Sequence, residues 1–261
     1  MKPVTLITGA SAGIGAELAR VFAEHGHELV LVARREDRLA ALADEIAKGG
    51  RPRPIVLMAD LGQRDAVAKI EAQLSLLDLE PAIVVNNAGF GLLGRAATLS
   101  CDEQLAMIDL NIRALTELSL AFLDSIARHR GGILNVASIA AFMPGPGMAV
   151  YYASKAFVLS FSEALHQELS DRGVRVTALC PGPVPTEFQA RAGLGDRMPN
   201  VLSLSAERVA RIGYDGFMRG RRVVVAGTGN RIASFVLRFL PNTLLLPLLD
   251  WGTRRAARSG S

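Results

Sequence analysis

The sequence predicts an α/β protein, a doubly wound parallel sheet of seven strands with helices on both faces. Three observations lead there. Short apolar runs rich in β-branched residues recur along the chain, as strands buried on both faces require. Segments of helical periodicity lie between them, long enough to serve as crossovers between parallel neighbours. The first run also passes through a glycine-rich turn directly into a helix.

The strands are expected at 4–8, 29–33, 55–59, 83–86, 132–137, 174–179 and 223–226. Helical patterns occupy 16–25, 38–48, 66–77, 101–130 and 151–172. No internal repeat or low-complexity linker divides them. Residues 1–230 therefore form one expected domain, with a lid segment at about 187–205, and 231–261 form an amphipathic helical extension ending in a basic tail.

Composition narrows the function classes. Half of the 261 residues are hydrophobic, 5% are aromatic and the formal charge is only +4. Arginines gather at 34–53 and in the last third, but no basic stripe interleaves with aromatics, so a nucleic-acid partner is not expected. Cys101 and Cys180 are too few for a disulfide framework, and Cys180 reads as a small buried hydrophobe. His25, His27, His129 and His166 are scattered, so no metal site is expected. The strand at Val4 leaves no room for a signal peptide before it, which favours a reducing cytoplasm.

The turn after the first strand reads Thr8-Gly9-Ala10-Ser11-Ala12-Gly13-Ile14-Gly15. Glycines permit a tight turn and let backbone N–H groups approach a pyrophosphate at the positive end of the following helix. Any tight turn can use glycine, so the loop alone is a weak signal. The second strand ends in Arg34-Arg35 with no carboxylate before Glu36. A guanidinium there suits a 2′-phosphate, where an acidic residue would suit a free 2′-hydroxyl.

Thr-Gly-x-x-x-Gly-x-Gly in this place resembles the short-chain dehydrogenase/reductase family, a Rossmann-type fold. The resemblance extends through Asn86-Asn87-Ala88-Gly89 after the fourth strand, Ser138 after the fifth, Tyr151-x-x-x-Lys155, and Pro181-Gly182 after the sixth. These motifs span most of residues 4–186. The resemblance implies an NADP(H) cofactor held by Gly9, Ser11, Gly13, Ile14, Gly15, Arg34, Asp60, Leu61, Asn87, Ala88 and Gly89. Tyr151, Lys155, Pro181, Gly182, Val184 and Thr186 complete that set. Some NADP-preferring members carry a basic residue just before the second glycine, where this chain has Ala12. Asp60 implies an adenine contact, although an Asp ending a strand also reads as a helix N-cap. Asn86 matches the residue that stabilises the central strands and borders the adenosine.

Tyr151 and Lys155 stand four apart in a helix, so their side chains share a face. A phenol is a poor base at neutral pH, and a neighbouring ammonium favours its ionised form. Ser138 ends a strand at the carboxyl edge of the sheet, where ligands of this architecture bind. The resemblance implies that Tyr151 is the acid/base, Ser138 orients the substrate oxygen, Lys155 holds the nicotinamide ribose, and Asn111 feeds a proton relay. The reaction is then hydride transfer between the nicotinamide and a carbonyl or alcohol carbon. Tyr152, at offset three from Lys155, is expected to point elsewhere.

Two apolar segments frame the expected substrate. One is 140–150, with Phe142, Met143 and Met148; the other is 187–205, with Phe188, Leu194, Met198, Val201 and Leu202, and glycines at 193 and 195. They favour a lipophilic carbonyl or alcohol over a sugar or small acid. A 3-oxoacyl thioester reductase is the alternative, and would place Arg95, Arg113, Arg128 or Arg130 at the pocket mouth. A non-catalytic NADP-sensing protein is the alternative outside the enzymes. Ile232, Phe235, Val236, Phe239 and Leu240 share one helical face in the extension. That face reads as a flap, a homodimer or homotetramer contact, or a peripheral membrane contact through 231–258.

Overall fold

A computed structural model of the protein describes residues 1–192, 203–237, 239–241, 243, 245–247, 249 and 250. The strands are β1 (Lys2–Thr8), β2 (Leu29–Ala33), β3 (Ile55–Met58), β4 (Leu79–Asn86), β5 (Gly132–Val136), β6 (Arg175–Cys180) and β7 (Val223–Val225). They form one sheet in the order β3-β2-β1-β4-β5-β6-β7, with every pair parallel. The strand order reverses between β1 and β4. A crevice opens there beyond the carboxyl ends of the strands.

Alternating side chains on each strand point to opposite faces, and both faces are covered. Ile7, Leu31 and Val85 pack against Leu18 and Phe22 of α1 (Gly13–Glu24), Leu39 of α2 (Glu36–Lys48), and Val209 and Phe217 of α9 (Ala206–Met218). Their sequence neighbours Leu6, Val30 and Val84 face the other layer. There they meet Ile70 of α3 (Ala66–Leu76), Leu118 of α5 (Leu115–Ala121), Ile126 of α6 (Leu123–Arg128) and Leu165 of α7 (Ala149–Glu168). Truncating a fully buried ring such as Phe22 or Phe217 to Ala would cost about 3–5 kcal/mol.

The expected long helix at 101–130 is interrupted. It comprises α4 (Cys101–Ile108), a π-helical turn (Asp109–Ala114), α5 and α6, with Phe122 leaving helical geometry between the last two. β4 begins four residues before its expected start. Its first residues, Leu79 to Pro81, pair with Lys2 to Val4, and the register shifts between Val4 and Thr5. Glu80 is buried there against Arg128 and His129, with the His129 Nε2 at 2.7 Å. Cys180 is buried and Cys101 is exposed.

Two short helices flank the crevice, a 3-10 turn (Ile139–Phe142) and α8 (Glu187–Arg191). Helix α10 (Thr228–Leu237) starts three residues before its expected position and buries Asn230 and Ser234. Its expected apolar side is turned outward: Ile232, Phe235 and Phe239 are 60%, 63% and 72% exposed. Farther on, Leu245 is buried and Asp250 lies 3.5 Å from Arg95, on the substrate side of the sheet. No helix among the described residues is long and apolar enough to cross a membrane.

Candidate active site

The site is built where β1 and β4 end side by side. Thr8 Oγ1 donates to the Val85 carbonyl (3.2 Å) and accepts from the backbone N–H groups of Asn87 (3.0 Å) and Ala88 (3.1 Å). Asn87 Nδ2 donates to the carbonyls of Thr8 (3.0 Å) and Gly9 (3.2 Å). Gly9 has a φ of +64°, and a Cβ there would lie 2.8 Å from that Asn87 nitrogen. Only glycine meets both demands.

α1 starts without a cap. Ala12 precedes it in extended conformation, with no side-chain cap and no acidic residue in the first turn. Its first N–H groups are therefore left for an anion at the positive end of the helix dipole. This uncapped helix and the narrow glycine loop fit the pyrophosphate of a dinucleotide.

A cavity of about 620 Å³ runs from this loop to Tyr151. Every expected cofactor residue lines it except Gly15. Gly15 sits behind the loop, where a Cβ would fall 2.4 Å from the Gly9 carbonyl oxygen. Asp60 lines the cavity and its Oδ1 accepts from the Gly62 N–H at 3.1 Å. The next helix starts only at Ala66, so the N-cap reading of Asp60 is corrected. Asn86 links the central strands β4 and β5 as expected, but its expected place beside the adenosine is corrected. It is turned into the interior, donating to Ser119 Oγ and Asn135 Oδ1 at 2.9 Å each, and does not line the cavity.

The basic end of the cavity holds Arg34 and Arg35. Arg35 is the residue that sequence reasoning passed over. Its Nε and Nη2 reach Ser11 Oγ at 3.3 and 3.1 Å, and its Nη1 lies 2.7 Å from Glu187 Oε2. Arg38 pairs with the other oxygen of the same carboxylate. The available signal was adjacency: Arg35 follows Arg34 at the end of β2.

At the other end, Ser138 caps the 3-10 turn by accepting from the Ala140 N–H at 3.1 Å. Its hydroxyl lines the same cavity as Tyr151 and draws the phenol's pKa down. Burial pushes that phenol up to about 12, against the pull of Ser138. The expected lowering by Lys155 is not what governs the tyrosine: desolvation outweighs the other influences. Lys155 Nζ donates to the Val136 carbonyl at 2.8 Å and stands 5.9 Å from the centre of the Tyr151 ring. Burial pulls its ammonium down to about 8.

Asn111 lies in the π-helical turn, outside the cavity wall, and is buried. Its Nδ2 donates to the Phe90 carbonyl (2.9 Å) and to Ser154 Oγ (3.0 Å), while its Oδ1 accepts from the Phe90 N–H (3.1 Å). A Cβ on Gly89 would lie 2.9 Å from this Oδ1 and 3.6 Å from Lys155 Nζ. A side chain there would thus fill the space between Asn111 and Lys155.

The substrate end is apolar. Met143, Met148, Tyr152 and Phe188 line it, and the Phe188 ring sits 5.4 Å from that of Tyr151. Backbone bonds from Leu93 N to Ala192 O (2.9 Å) and from Gly94 N to Gly147 O (2.8 Å) tie its loops together. Tyr152 does not point elsewhere, as its spacing suggested: it lines the cavity, and Gly145 leaves the room its ring occupies. Phe142 packs into an interior cluster instead. The expected contacts at 193–202, including Leu194, Met198, Val201 and Leu202, fall outside the described residues.

Of the four arginines considered for the mouth, only Arg95 stands beside the loops of the apolar end, where Gly94 bonds Gly147. Arg113 binds Asp109, Glu117 and the carbonyls of Leu61, Gly62 and Gln63. Arg128 pairs with Glu80 at the opposite edge of the sheet, and Arg130 lies two residues before β5 there. Among the described residues, no three or more His, Cys, Asp or Glu side chains converge as metal ligands would.

Residues 3–196 match a family model described as short chain dehydrogenase. Sulfoacetaldehyde reductase 2 of Chromohalobacter salexigens is 38% identical over 224 residues, which cover 81% of this chain and 87% of that protein. A short-chain dehydrogenase from Sphingobium yanoikuyae, solved in complex with NADPH, has a TM-score of 0.80 at 33% identity. That match covers 99% of this chain and 94% of the other. The bulky-bulky ketone specific alcohol dehydrogenase from Comamonas testosteroni has a TM-score of 0.76 at 30% identity, covering 100% of this chain and 93% of its own.

Proposed function

The chain belongs to the short-chain dehydrogenase family, and from that premise we propose that it is an NADP(H)-dependent reductase of lipophilic ketones, with Tyr151 as the proton donor. The family's members are oxidoreductases acting on alcohols and carbonyls with a nicotinamide cofactor. The observation that carries the finer reading is the Tyr151 hydroxyl, buried against Ser138 in the same cavity as the glycine loop.

The N–H groups at the start of α1 and the loop from Gly9 to Gly13 would hold the pyrophosphate. Asp60 and Leu61 would border the adenine, and Ser11, Arg34 and Arg35, which line the other end of the cavity, would meet the 2′-phosphate. Pro181, Gly182, Val184 and Thr186 would flank the nicotinamide. When bound, the cofactor supplies the hydride for the carbonyl carbon.

Tyr151 supplies the proton. Burial keeps its phenol protonated at neutral pH, which suits donation to a developing alkoxide. Ser138 accepts from Ala140 N–H and keeps its own proton to donate toward the substrate oxygen. Lys155, held by Val136, offers its remaining N–H groups to the ribose and keeps a positive charge behind the phenol at neutral pH. Asn111 fixes the backbone at Phe90, next to the Gly89 that borders Lys155.

The apolar wall of Met143, Met148, Tyr152 and Phe188 supports a bulky, lipophilic substrate. The name of the Comamonas relative points the same way. The Chromohalobacter relative is named for a small anionic aldehyde. Among the described residues, the only cationic side chains on this cavity besides Lys155 are Arg34 and Arg35, both at the far end. A carrier-protein thioester is likewise less favoured, since Arg95 is the single one of the four arginines beside the apolar end and it pairs with Asp250.

NADPH oxidation measured across bulky ketones, steroids, retinals and 3-oxoacyl thioesters tests the reading. Turnover is expected with bulky ketones and lost in Tyr151→Phe. A flat response to every class would favour the cofactor-sensing alternative.

A further inference from the structure

Glu187 stands where an anion of the cofactor is expected. Its two carboxylate oxygens bind two guanidinium groups, Arg35 at 2.7 Å and Arg38. Arg35 at the same time donates to Ser11 Oγ, the hydroxyl midway between Gly9 and Gly13 of the glycine turn. A carboxylate shared by two arginines next to a serine hydroxyl reproduces the donor set that a phosphate monoester would take. Glu187, Ser11, Arg34 and Arg35 also line the one cavity.

The carboxylate belongs to a different part of the molecule from the cations. It opens α8, which lies 152 residues beyond Arg35 in the chain. The next residue, Phe188, packs on the Tyr151 ring at 5.4 Å. Thus one short helix meets the phosphate end of the cavity with its first side chain and the substrate end with its second. Both arginines and the glutamate are roughly half exposed, so the pairs are exchangeable with solvent and with a stronger anion.

We propose that Glu187 is a built-in occupant of the 2′-phosphate subsite, latching α8 to Arg35 and Arg38 until the 2′-phosphate of NADP(H) displaces it. A phosphate carries up to two charges against one for the carboxylate and takes over the same N–H donors. NAD(H) has no group to make that exchange, so it binds with the latch in place. Glu187 is in this way a determinant of cofactor choice, and it couples that choice to the helix that walls the substrate. The inference rests on the NADP(H) reading above.

Binding of 2′,5′-ADP and of AMP to the full-length protein, at low ionic strength, separates the two. If the wild type binds both nucleotides equally, the NADP(H) reading fails and takes the latch with it. With a wild-type preference for 2′,5′-ADP, Glu187→Gln is expected to tighten 2′,5′-ADP about fivefold and leave AMP unchanged, the order that two half-exposed ion pairs carry. An unchanged preference in Glu187→Gln overturns the inference alone. Amide hydrogen exchange over 186–192 supplies the second readout. It is expected to rise in the wild type on adding 2′,5′-ADP but not AMP, and to be already raised in ligand-free Glu187→Gln. If Glu187→Gln exchanges like the wild type without ligand, Glu187 only repels the phosphate and the latch is overturned.

Discussion

Asn111 and Phe90 exchange two hydrogen bonds, side-chain amide to backbone, at 2.9 and 3.1 Å. One asparagine in the π-helical turn thereby satisfies both backbone groups of a buried residue directly after Gly89. The same Nδ2 donates to Ser154, whose hydroxyl bonds the Tyr151 carbonyl at 2.7 Å. The loop after β4 and the helix carrying Tyr151 are held in register through this single amide.

Asn111→Asp keeps the acceptor but loses both donor bonds. Each buried acceptor left unsatisfied costs about 1–3 kcal/mol, so thermal melting should show a clear loss of stability. Turnover should fall as well, while Asn111→Gln recovers neither, because its longer side chain misplaces the amide. A melting curve unchanged in Asn111→Asp would show that the pair with Phe90 does not hold the loop.

Tyr151→Phe removes the proposed general acid. Turnover should drop by about 10²–10⁴-fold, the range for a positioned acid, with dinucleotide binding retained. Binding and single-turnover assays on the same preparation separate the two quantities. Retained turnover would exclude Tyr151 as the acid.

Ser138→Ala should lower turnover by about 10²-fold through loss of a donor to the substrate oxygen. It should also displace the alkaline limb of the pH–rate profile upward, because the Ser138 hydroxyl is the influence that draws the Tyr151 phenol down. Ser138→Thr keeps a hydroxyl and should restore part of both. A profile that falls in height without moving would place Ser138 in orientation alone.

Lys155 gives a stability signature. Its folded value of about 8 lies below the ordinary 10.5, so between those values the unfolded chain binds a proton that the folded chain has released. Stability contributed by this residue therefore rises with pH across that window, and the burial penalty is at its full size below about 8. The melting temperature of the wild type relative to Lys155→Met should increase from pH 8 to pH 10. Above about 10 the raised Tyr151 phenol acts in the reverse sense, so the comparison is confined to the lower range. A difference that stays flat would mean that the ammonium is not desolvated.

The parts of this site that were legible from residues alone are those set by local chemistry. β2 matched its expected bounds because charged residues close it on both sides, at Glu28 and Arg34. The glycine loop, Ser138 and the Tyr151–Lys155 pair follow from turn geometry and helical spacing. What stayed hidden depends on partners distant in sequence. Glu80 and Pro81 disguised the start of β4, since an acidic residue enters a strand only when Arg128 and His129 are there to meet it. No glycine or proline marks the π-helical turn; its Asn111 is engaged by Phe90 and Ser154. Tyr152 faces the cavity because Gly145 leaves room for its ring, and helical offset carries no trace of that. Arg35 became notable only beside Ser11 and Glu187.

The reversal of strand order at β1 and β4 also governs when the site can exist. Its glycine loop is among the first segments made, yet Asn87, which holds that loop, lies 78 residues later, and Glu187 lies 152 residues beyond its arginine. A nascent chain emerging from its ribosome would carry the phosphate loop long before the opposite wall. Ligand binding is therefore a reporter of completed chain assembly, and a cofactor that binds only the finished crevice would favour that last docking step over earlier, partly folded species.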